Sequence, residues 1–251
     1  MPQGFGDHAP VDWSPVTSTA PGSVPRPAGN RPLTFADLAD LVGPVVAPVV
    51  GSVEISGLTL ASGEVQAGDL YAALPGARTH GAQYAADAAA RGAVAILTDP
   101  SGRDEAAATG LPVCVVADAR AVLGSVADRV HGEPSRRLRV LGITGTNGKT
   151  TTAYLVEAGL AAAGLGTGLI GTVQTRTRTR DAEGRETVTE VPSVRTTPEA
   201  PALHALLAGM VDDGVSAVVM EVSSHALVLG RVGGIRFAAA GFTNLGRDHL
   251  D

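Results

Sequence analysis

The chain has 251 residues, enough for one large or two ordinary domains, and its 44% hydrophobic and 18% charged residues suit a globular α/β protein. A formal net charge of −6 argues against a general nucleic-acid binder, and no apolar run approaches the roughly 18 residues of a membrane span. The single cysteine, Cys114, excludes an intramolecular disulfide and is expected to be a core residue rather than a nucleophile. Because the N-terminus lacks a signal-peptide pattern, we expect a cytoplasmic protein that neither binds nucleic acid nor inserts into a membrane.

The amino-terminal part of the chain is predicted to form a small α/β domain over residues 33–133, after a disordered tail over residues 1–32 that is rich in Pro, Ser, Gly and Ala. Short apolar runs typical of strands alternate there with helical patterns. In chain order, the predicted elements are a helix over Phe35–Val42 capped by Thr34, apolar runs at Val53–Leu60 and Leu70–Leu74, a helix over Gln83–Arg91 that ends at Gly92, strands at Ala93–Thr98 and Val113–Val116, and a helix capped by Asp118.

The segment His131–Ser135 has the composition of a linker, and a second α/β unit is predicted over residues 138–251. Its predicted elements are a strand-like run over 138–143, a helix over Ala153–Ala163, a short strand within Gly164–Gly171, a protruding hairpin over Thr172–Val194, a helix from Thr197 to about Asp213, and buried parallel strands at Val215–Met220 and Phe237–Phe242. The Arg-Thr repeats of the hairpin are interpreted as a solvated surface, with an anion site as the alternative. Because the sequence reaches its last residue in a charged segment without a closing helix, we predict a parallel-sheet domain that is cut short.

Residues 141–152, with the sequence LGITGTNGKTTT, have the pattern of a strand, a glycine-rich turn and a helix, which surrounds a phosphate with backbone N–H groups. Gly145 and Gly148 would let the backbone approach an anion, Lys149 would reach the outer phosphates, and the Thr150 hydroxyl would bind the accompanying Mg²⁺. Lys149 is the only lysine in a chain that otherwise uses arginine, and the planar arginine fork cannot replace a compact ammonium in a tight loop. The sequence therefore predicts a P-loop-type ATPase domain with ATP and Mg²⁺ as ligands.

Further polar residues are predicted to lie at the same edge of this sheet. Glu221 follows a buried strand, and a carboxylate at the carboxyl end of a parallel strand can bind Mg²⁺ beside a triphosphate. His249 follows the next strand, while Thr196 and Thr197 precede a helix N-terminus, a position that favours anions. Each of these residues alone could be a cap or a surface residue, but together with the glycine-rich loop they indicate a functional site.

Four segments, TGTNGKTT, RTTPEA, MEVSSHAL and FTNLGRDHLD, resemble the Mur ligase family. EVSSHAL is similar to the members that add the third amino acid of the peptidoglycan stem peptide, and GDLYAALPG resembles their amino-terminal domain. The resemblance implies a UDP-sugar-substrate-binding domain over residues 33–133, the amino-terminal part of the ATP-binding central domain over residues 138–251, and the absence of a carboxyl-terminal domain. It also implies ATP-dependent amide formation through an acyl phosphate. The substrates would be UDP-N-acetylmuramoyl-L-alanyl-D-glutamate and an amino acid, expected to be a diamino acid, and the protein is expected to be a monomer.

Carried over to the matching positions, the resemblance implies residues for each ligand. ATP would be held by Gly145, Thr146, Asn147, Gly148, Lys149, Thr150 and Thr151. Magnesium would be bound by Thr150, Glu221 and His249, and the catalytic residues would be Lys149, Glu221 and His249. The UDP-sugar would contact Leu60, Ser62, Ala77, Arg78 and Thr79. The muramoyl-peptide would contact Thr196, Thr197, Ser223 and Arg231.

Two departures from the family pattern bear on this interpretation. Ala61-Ser62-Gly63 stands where the family usually has Asp-Ser-Arg, which would weaken the UDP end of the site. The family's lysine carbamate has no counterpart, since no lysine follows Lys149. Two alternatives stay open: another amide ligase with a TGTNGKT loop, similar to cyanophycin synthetase or folylpolyglutamate synthase, and a non-catalytic fragment that binds nucleotide or UDP-sugar.

Overall fold

The computed structural model describes residues 32–42 and 53–246, and within these ranges the chain forms three β-sheets of two, four and six strands. The predicted α/β fold class is confirmed. The predicted tail, apart from Pro32, lies outside the described residues, as does His249. No helix in the described part of the chain is long and apolar enough to cross a lipid bilayer.

The first helix, α1 (Phe35–Val42), has the predicted bounds. Thr34 Oγ1 accepts the N–H of Asp37 at 3.1 Å, and Asp37 Oδ2 accepts the N–H of Thr34 at 3.2 Å. The two side chains therefore form a reciprocal capping box, which fixes the start of the helix. Thr34 also belongs to β1 (Leu33–Thr34), which pairs antiparallel with β2 (Glu54–Ile55).

The sheet of the first unit consists of four parallel strands in the order β3-β4-β5-β6. Their bounds are Gly57–Thr59 for β3, Asp69–Ala73 for β4, Ala95–Thr98 for β5 and Val113–Val115 for β6. The helices of this unit are α2 (Ala85–Ala90), α3 (Arg103–Ala107) and α4 (Ala119–Val130). Leu70 and Ala72 pack into one apolar cluster, whereas Tyr71 and Ala73 pack into another. Both faces of the sheet are therefore covered, as the alternation of side chains along a strand requires.

Three local predictions for the first unit can be compared with the structure. Asp118 caps α4, since its Oδ1 accepts the N–H groups of Arg120 and Ala121, both at 3.0 Å. Cys114 is fully buried and burial raises the pKa of its thiol to about 11, so the prediction of a core residue is confirmed. The helix predicted over Gln83–Arg91 begins two residues later, because the chain enters it through a 3₁₀ turn.

The second unit contains the six-stranded sheet, in the order β10-β9-β8-β11-β7-β12. The strand bounds are Arg139–Thr144 for β7, Thr167–Ile170 for β8, Gln174–Arg180 for β9, Glu186–Pro192 for β10, Ala217–Glu221 for β11 and Phe237–Phe242 for β12. The helices are α5 (Lys149–Ala162), α6 (Ala200–Asp212) and α7 (Ser224–Val228). Strands β8, β11, β7 and β12 are parallel, so their carboxyl ends meet at one edge of the sheet. Every residue of β11 is buried, as predicted.

The prediction of a protruding hairpin holds only for its tip, since residues 180–187 are exposed, whereas the base of the hairpin belongs to the sheet. β9 pairs antiparallel with β8 and so extends the sheet. Arg176 and Arg178 are not solvated, because both form ion pairs with Glu157 of α5, a residue whose side chain is only 1% exposed. Glu157 supplies a negative charge to both guanidinium groups, so a bound anion is not needed to explain the two arginines. No local pattern predicts this contact, because Glu157 precedes Arg176 and Arg178 by 19 and 21 residues along the chain.

Two other expectations for the second unit are wrong. β12 is parallel, as predicted, but it is not buried: Ala238, Ala239 and Ala240 are exposed, because within the described residues β12 pairs only with β7 and forms the edge of the sheet. The helix predicted to start at Thr197 starts at Ala200, with Glu199 at the N-cap position. Thr197 cannot cap it, because its hydroxyl donates to the backbone carbonyl of Glu221 at 2.9 Å.

The segment predicted to be a linker is packed between the two units. His131 and Ser135 are buried, and Ser135 Oγ accepts the N–H of Arg236 at 3.0 Å. The units also meet where α4 approaches the loop after α7, and a Cβ on Gly124 would lie 2.5 Å from the carbonyl oxygen of Gly233. Only a glycine allows this close approach, so the two units are in direct backbone contact.

Candidate functional site: a glycine-rich loop and a buried carboxylate

The glycine-rich loop connects β7 to α5, as the sequence predicts. Gly145 and Gly148 have φ values of +128° and +81°, a region that side chains with a Cβ rarely adopt. A Cβ on Gly145 would also lie 2.1 Å from Thr243 Oγ1. Gly148 immediately precedes α5, so the loop ends at a helix N-terminus whose first N–H groups have no acceptor within the helix. This geometry is that of an anion site.

Lys149 lies across the loop that precedes it. Its Nζ donates to the carbonyl oxygen of Gly145 at 2.7 Å and to that of Thr146 at 3.0 Å. These two carbonyls hold the ammonium on the concave side of the turn, where its charge adds to the partial positive charge of the helix N-terminus. The arrangement favours a polyanion over a neutral ligand.

Thr243 and Asn244, which were not among the predicted site residues, fix the conformation of the loop. The side-chain amide of Asn244 donates to the carbonyl of Asn147 at 2.9 Å and accepts the Asn147 N–H at 3.0 Å. The Asn244 carbonyl accepts the Thr146 N–H at 3.1 Å, and the Thr243 hydroxyl donates to Asn147 at 2.7 Å. The N–H groups of Thr146 and Asn147 are thus engaged within the protein. Helix N-terminal N–H groups, from Lys149 onward, are better placed to receive a phosphate. The segment FTNLG carried the only signal for this role.

Glu221 ends β11 with its side chain fully buried beside the loop. Its Oε2 accepts the hydroxyl of Thr150 at 2.8 Å, and its Oε1 accepts the N–H of Thr172 at 2.9 Å. A Cβ on Gly171 would lie 2.3 Å from Oε1, so that glycine makes room for the carboxylate. The predicted neighbours Thr150 and Glu221 are therefore in direct contact. Within the described residues Glu221 has no ion-pair partner, and burial of an unpaired carboxylate is costly. Its three hydrogen bonds, which include one from the Thr172 hydroxyl at 3.1 Å, compensate part of that cost.

Thr150 and Glu221 supply a hydroxyl and a carboxylate, which are oxygen ligands of the kind that Mg²⁺ takes beside phosphates. Their contact next to the anion site fits a magnesium ion. Within residues 32–42 and 53–246 no three His, Cys, Asp or Glu residues are grouped as a complete metal site. The predicted third ligand, His249, lies outside these residues.

The residues predicted to contact the muramoyl-peptide also lie at this edge of the sheet. Thr197 Oγ1 accepts the N–H of Ser223 at 3.2 Å, and Ser223 caps α7 by accepting the N–H of Ala226. Arg231 Nη1 donates to the Thr197 carbonyl at 3.2 Å. Thr196 is linked to the same group, because its hydroxyl is hydrogen-bonded to Thr172 Oγ1 at 3.1 Å. The four predicted residues thus belong to one hydrogen-bonded group that includes Glu221.

The residues predicted to hold the UDP-sugar lie on the first unit. Leu60 packs against the apolar core, whereas Ala77, Arg78 and Thr79 form an exposed turn. The Ser62 side chain lies beside Asp87, where its hydroxyl is the largest cause that lowers the pKa of the Asp87 carboxyl. The structure therefore separates the predicted site residues into one group on each unit.

Two models of one protein family match the chain. A model described as the Mur ligase middle domain matches residues 143–251, and a model described as the Mur ligase family catalytic domain matches residues 54–131. The glycine-rich loop and Glu221 both lie within the residues that the middle-domain model matches.

Named relatives in two bacteria are similar over most of the chain. A UDP-N-acetylmuramoyl-L-alanyl-D-glutamate–2,6-diaminopimelate ligase of Streptomyces coelicolor is 54% identical over 233 residues, which cover 93% of this chain and 44% of the relative. A ligase of the same name from Streptomyces avermitilis is 53% identical over the same shares. The chain thus spans less than half the length of these relatives. A solved structure of a ligase with this name matches with a TM-score of 0.61 at 25% identity and covers 79% of this chain and 38% of that one.

Proposed function

From the premise that this chain belongs to the Mur ligase family of ATP-dependent ligases, we propose that it binds ATP and UDP-N-acetylmuramoyl-L-alanyl-D-glutamate as part of a ligase that adds diaminopimelate to the latter. The observation that carries this proposal is the glycine-rich loop with Lys149 across it and Thr150 in contact with the buried Glu221. The names of the relatives in Streptomyces support the choice of substrates.

The proposed reaction has two steps. A carboxylate oxygen of the D-glutamate attacks the γ-phosphorus of ATP, the bond to the β-phosphate oxygen breaks, and an acyl phosphate and ADP form. The amino nitrogen of diaminopimelate then attacks the acyl carbon, the bond between that carbon and the phosphate oxygen breaks, and the nitrogen loses a proton, so that an amide and phosphate form. The protein contributes mainly position and charge compensation, as in other phosphoryl transfers.

Each group of residues has a part in this proposal. Lys149 and the N-terminus of α5 would neutralise the outer phosphates, and Thr150 and Glu221, with His249, would hold a Mg²⁺ that offsets the charge of the triphosphate. The hydrogen-bonded group around Thr197 would orient the peptide end of the substrate. The UDP end would bind the first unit near the turn at Ala77. Because ATP and UDP-linked precursors are nucleotides of the cytoplasm, we also infer a cytoplasmic location.

Ligand-induced stabilisation tests this proposal. Thermal unfolding is measured on the purified chain alone, with Mg²⁺-ATP, and with the UDP-linked dipeptide. A ligand at 100 times its Kd is expected to add about 2.7 kcal/mol to the free energy of unfolding. Stabilisation by both ligands, each reversed by dilution, supports the proposal, whereas stabilisation by neither contradicts it. A parallel assay of phosphate release in the presence of diaminopimelate separates ligation from binding alone.

Glu221→Gln is expected to weaken the Mg²⁺ dependence of ATP binding. The amide keeps the size of the side chain but removes the negative charge that would attract the cation. The gain in ATP affinity on adding Mg²⁺ should therefore fall about tenfold, which corresponds to roughly 1.4 kcal/mol. Isothermal titration with and without Mg²⁺ measures this difference. Glu183→Gln, in the exposed turn between β9 and β10, is the matched control. If Mg²⁺ raised ATP affinity as much in Glu221→Gln as in the wild type, Glu221 would have only a structural role.

A further inference from the structure

Glu199 lies between the predicted peptide-contact segment and α6, and three arginines from different parts of the chain surround it. Its Oε1 is 2.8 Å from Arg231 Nη2 and 3.0 Å from Arg195 Nη1. Its Oε2 is 3.6 Å from Arg120 Nη1, and Arg120 belongs to α4 of the first unit. One carboxylate thus joins the loop after α7, the segment before α6 and a helix of the first unit.

The contact with Arg231 is the shortest and the least exposed of the three. The side chain of Arg231 is only 12% exposed and that of Glu199 is 24% exposed, so water screens this pair less than it screens an ion pair at the surface. The same guanidinium donates to the Thr197 carbonyl through Nη1. Because both acceptors belong to residues 197–199, the position of the arginine head and the path of this segment depend on each other.

The hydrogen bonds continue from this segment to the anion site. Thr197 donates to the carbonyl of Glu221 and accepts the N–H of Ser223, and the Glu221 side chain accepts the hydroxyl of Thr150. Glu199 is therefore at one end of a continuous polar chain, with α4 on its outer side and the glycine-rich loop at the far end. The Thr197 hydroxyl links Glu221 with Ser223 within this chain of contacts, and Thr197 is buried.

Removing the charge of Glu199 would leave three guanidinium groups around an uncharged side chain. The bond between Arg231 and Glu199 would weaken, and the repulsion among the arginines would favour rotation of Arg231 away from Thr197. The Arg120 contact, in contrast, is long and its side chains are partly exposed, so by itself it adds at most a small stabilisation. The Arg120 contact matters because it places a positive charge of the first unit beside a segment of the second unit.

We propose that Glu199 is a positioning residue that holds Arg231 and the Thr196–Thr197 segment for the peptide end of the UDP-linked substrate and ties that segment to α4 of the first unit. This inference rests on the proposed function, in which one substrate molecule bridges the two units. Affinity for the UDP-linked dipeptide therefore depends on Glu199, whereas affinity for ATP changes little, because the glycine-rich loop lies at the far end of this chain of contacts.

Glu199→Gln tests the proposal, with Glu186→Gln as the matched control. Glu186 is also a partly exposed glutamate between two arginines, Arg178 and Arg180, but it lies on the hairpin. Isothermal titration with UDP-N-acetylmuramoyl-L-alanyl-D-glutamate should give a Kd about tenfold higher for Glu199→Gln than for the wild type, and a Kd for Mg²⁺-ATP within twofold. The control variant should match the wild type for both ligands. Arg120→Gln should weaken dipeptide binding less, and combining it with Glu199→Gln should add nothing further.

The outcomes separate this inference from the proposed function. Normal dipeptide affinity in Glu199→Gln, or equal loss of both ligands together with a lower Tm, would overturn the positioning role while wild-type binding upholds the proposed function. If the wild type binds no dipeptide, the proposed function fails. In that case, amide hydrogen exchange of the ligand-free protein tests whether Glu199 holds the Thr196–Thr197 segment in place. The Ser223 amide, bonded to Thr197, should then exchange faster in Glu199→Gln than in the wild type, with Val219 in β11 unchanged; equal Ser223 rates would overturn the inference.

Discussion

Lys149→Ala is expected to raise the Kd for Mg²⁺-ATP at least about 100-fold, which corresponds to roughly 2.7 kcal/mol. Lys149 is the only lysine of the chain and lies across the loop, so its removal would leave only the partial charge of the α5 N-terminus to compensate the charge of the outer phosphates. The fold should not change, because the two hydrogen bonds that are lost go to loop carbonyls that water can reach. Isothermal titration gives the Kd, and circular dichroism with thermal unfolding gives the fold and Tm.

Two companion variants sharpen the test of Lys149. Lys149→Arg keeps the charge but replaces the compact ammonium with a planar fork, so it should also bind ATP poorly. Arg185→Ala removes one positive charge from a side chain that is 76% exposed on the hairpin, and its ATP affinity should equal that of the wild type. If Lys149→Ala bound ATP normally, the glycine-rich loop would not be the nucleotide site. Equal loss in Arg185→Ala would instead point to a long-range effect of net charge.

Glu157→Ala is expected to lower the free energy of unfolding by about 3–5 kcal/mol, the usual cost of breaking a buried ion pair from one side. Glu157 Oε1 accepts from the Thr167 hydroxyl at 2.6 Å and from Arg178 Nε at 3.2 Å, and Oε2 pairs with Arg176. Arg176 also stacks over the ring of Tyr154, with its guanidinium carbon 5.1 Å from the ring centroid. Removal of the buried carboxylate would leave Arg176 only its longer contact with Glu190 and Arg178 only its more exposed contact with Glu186.

Urea denaturation of Glu157→Ala, compared with the wild type, measures this loss. Glu186→Ala is the control, since its ion pairs with Arg178 and Arg180 lie at the surface, where such pairs add between nothing and about 1 kcal/mol. A loss below about 1 kcal/mol for Glu157→Ala would mean that the arginines find water or another partner. The hairpin would then be the solvated element that the sequence suggested.

The glycine-rich loop shows how far local sequence reaches. Gly145, Gly148 and Lys149 are close in sequence, and the loop conformation they form depends on the backbone freedom of glycine and on the start of α5. The bounds of α1 and the cap of α4 were predictable for the same reason, because the Thr34–Asp37 pair and Asp118 act within one helical turn. The sequence could also predict that Glu221 ends a buried strand, since an unbroken apolar run marks such a strand.

The partners of these residues were beyond local sequence. Asn244 forms hydrogen bonds with the loop, although it lies almost a hundred residues further along the chain. Glu157 forms ion pairs with arginines of β9, and β9 lies next to α5 only in the folded protein. The same limit explains the errors over β12 and α6. An apolar run does not reveal whether a strand lies at the centre or at the edge of a sheet, and a threonine before a helix does not reveal that its hydroxyl is already bonded to a strand carbonyl.

The sequence by itself thus determined the α/β class, the phosphate-type loop with its single lysine, and the carboxylate at the end of β11, because each follows from residues in one short segment. Only the tertiary structure decided that Glu221 touches Thr150, that Thr197 joins Glu221 to Ser223, and that Glu199 gathers arginines from both units. These contacts depend on the order of the strands and on the packing of α4 against the second unit. They are determined by the packing energy of the whole fold, and no short segment of the sequence predicts them.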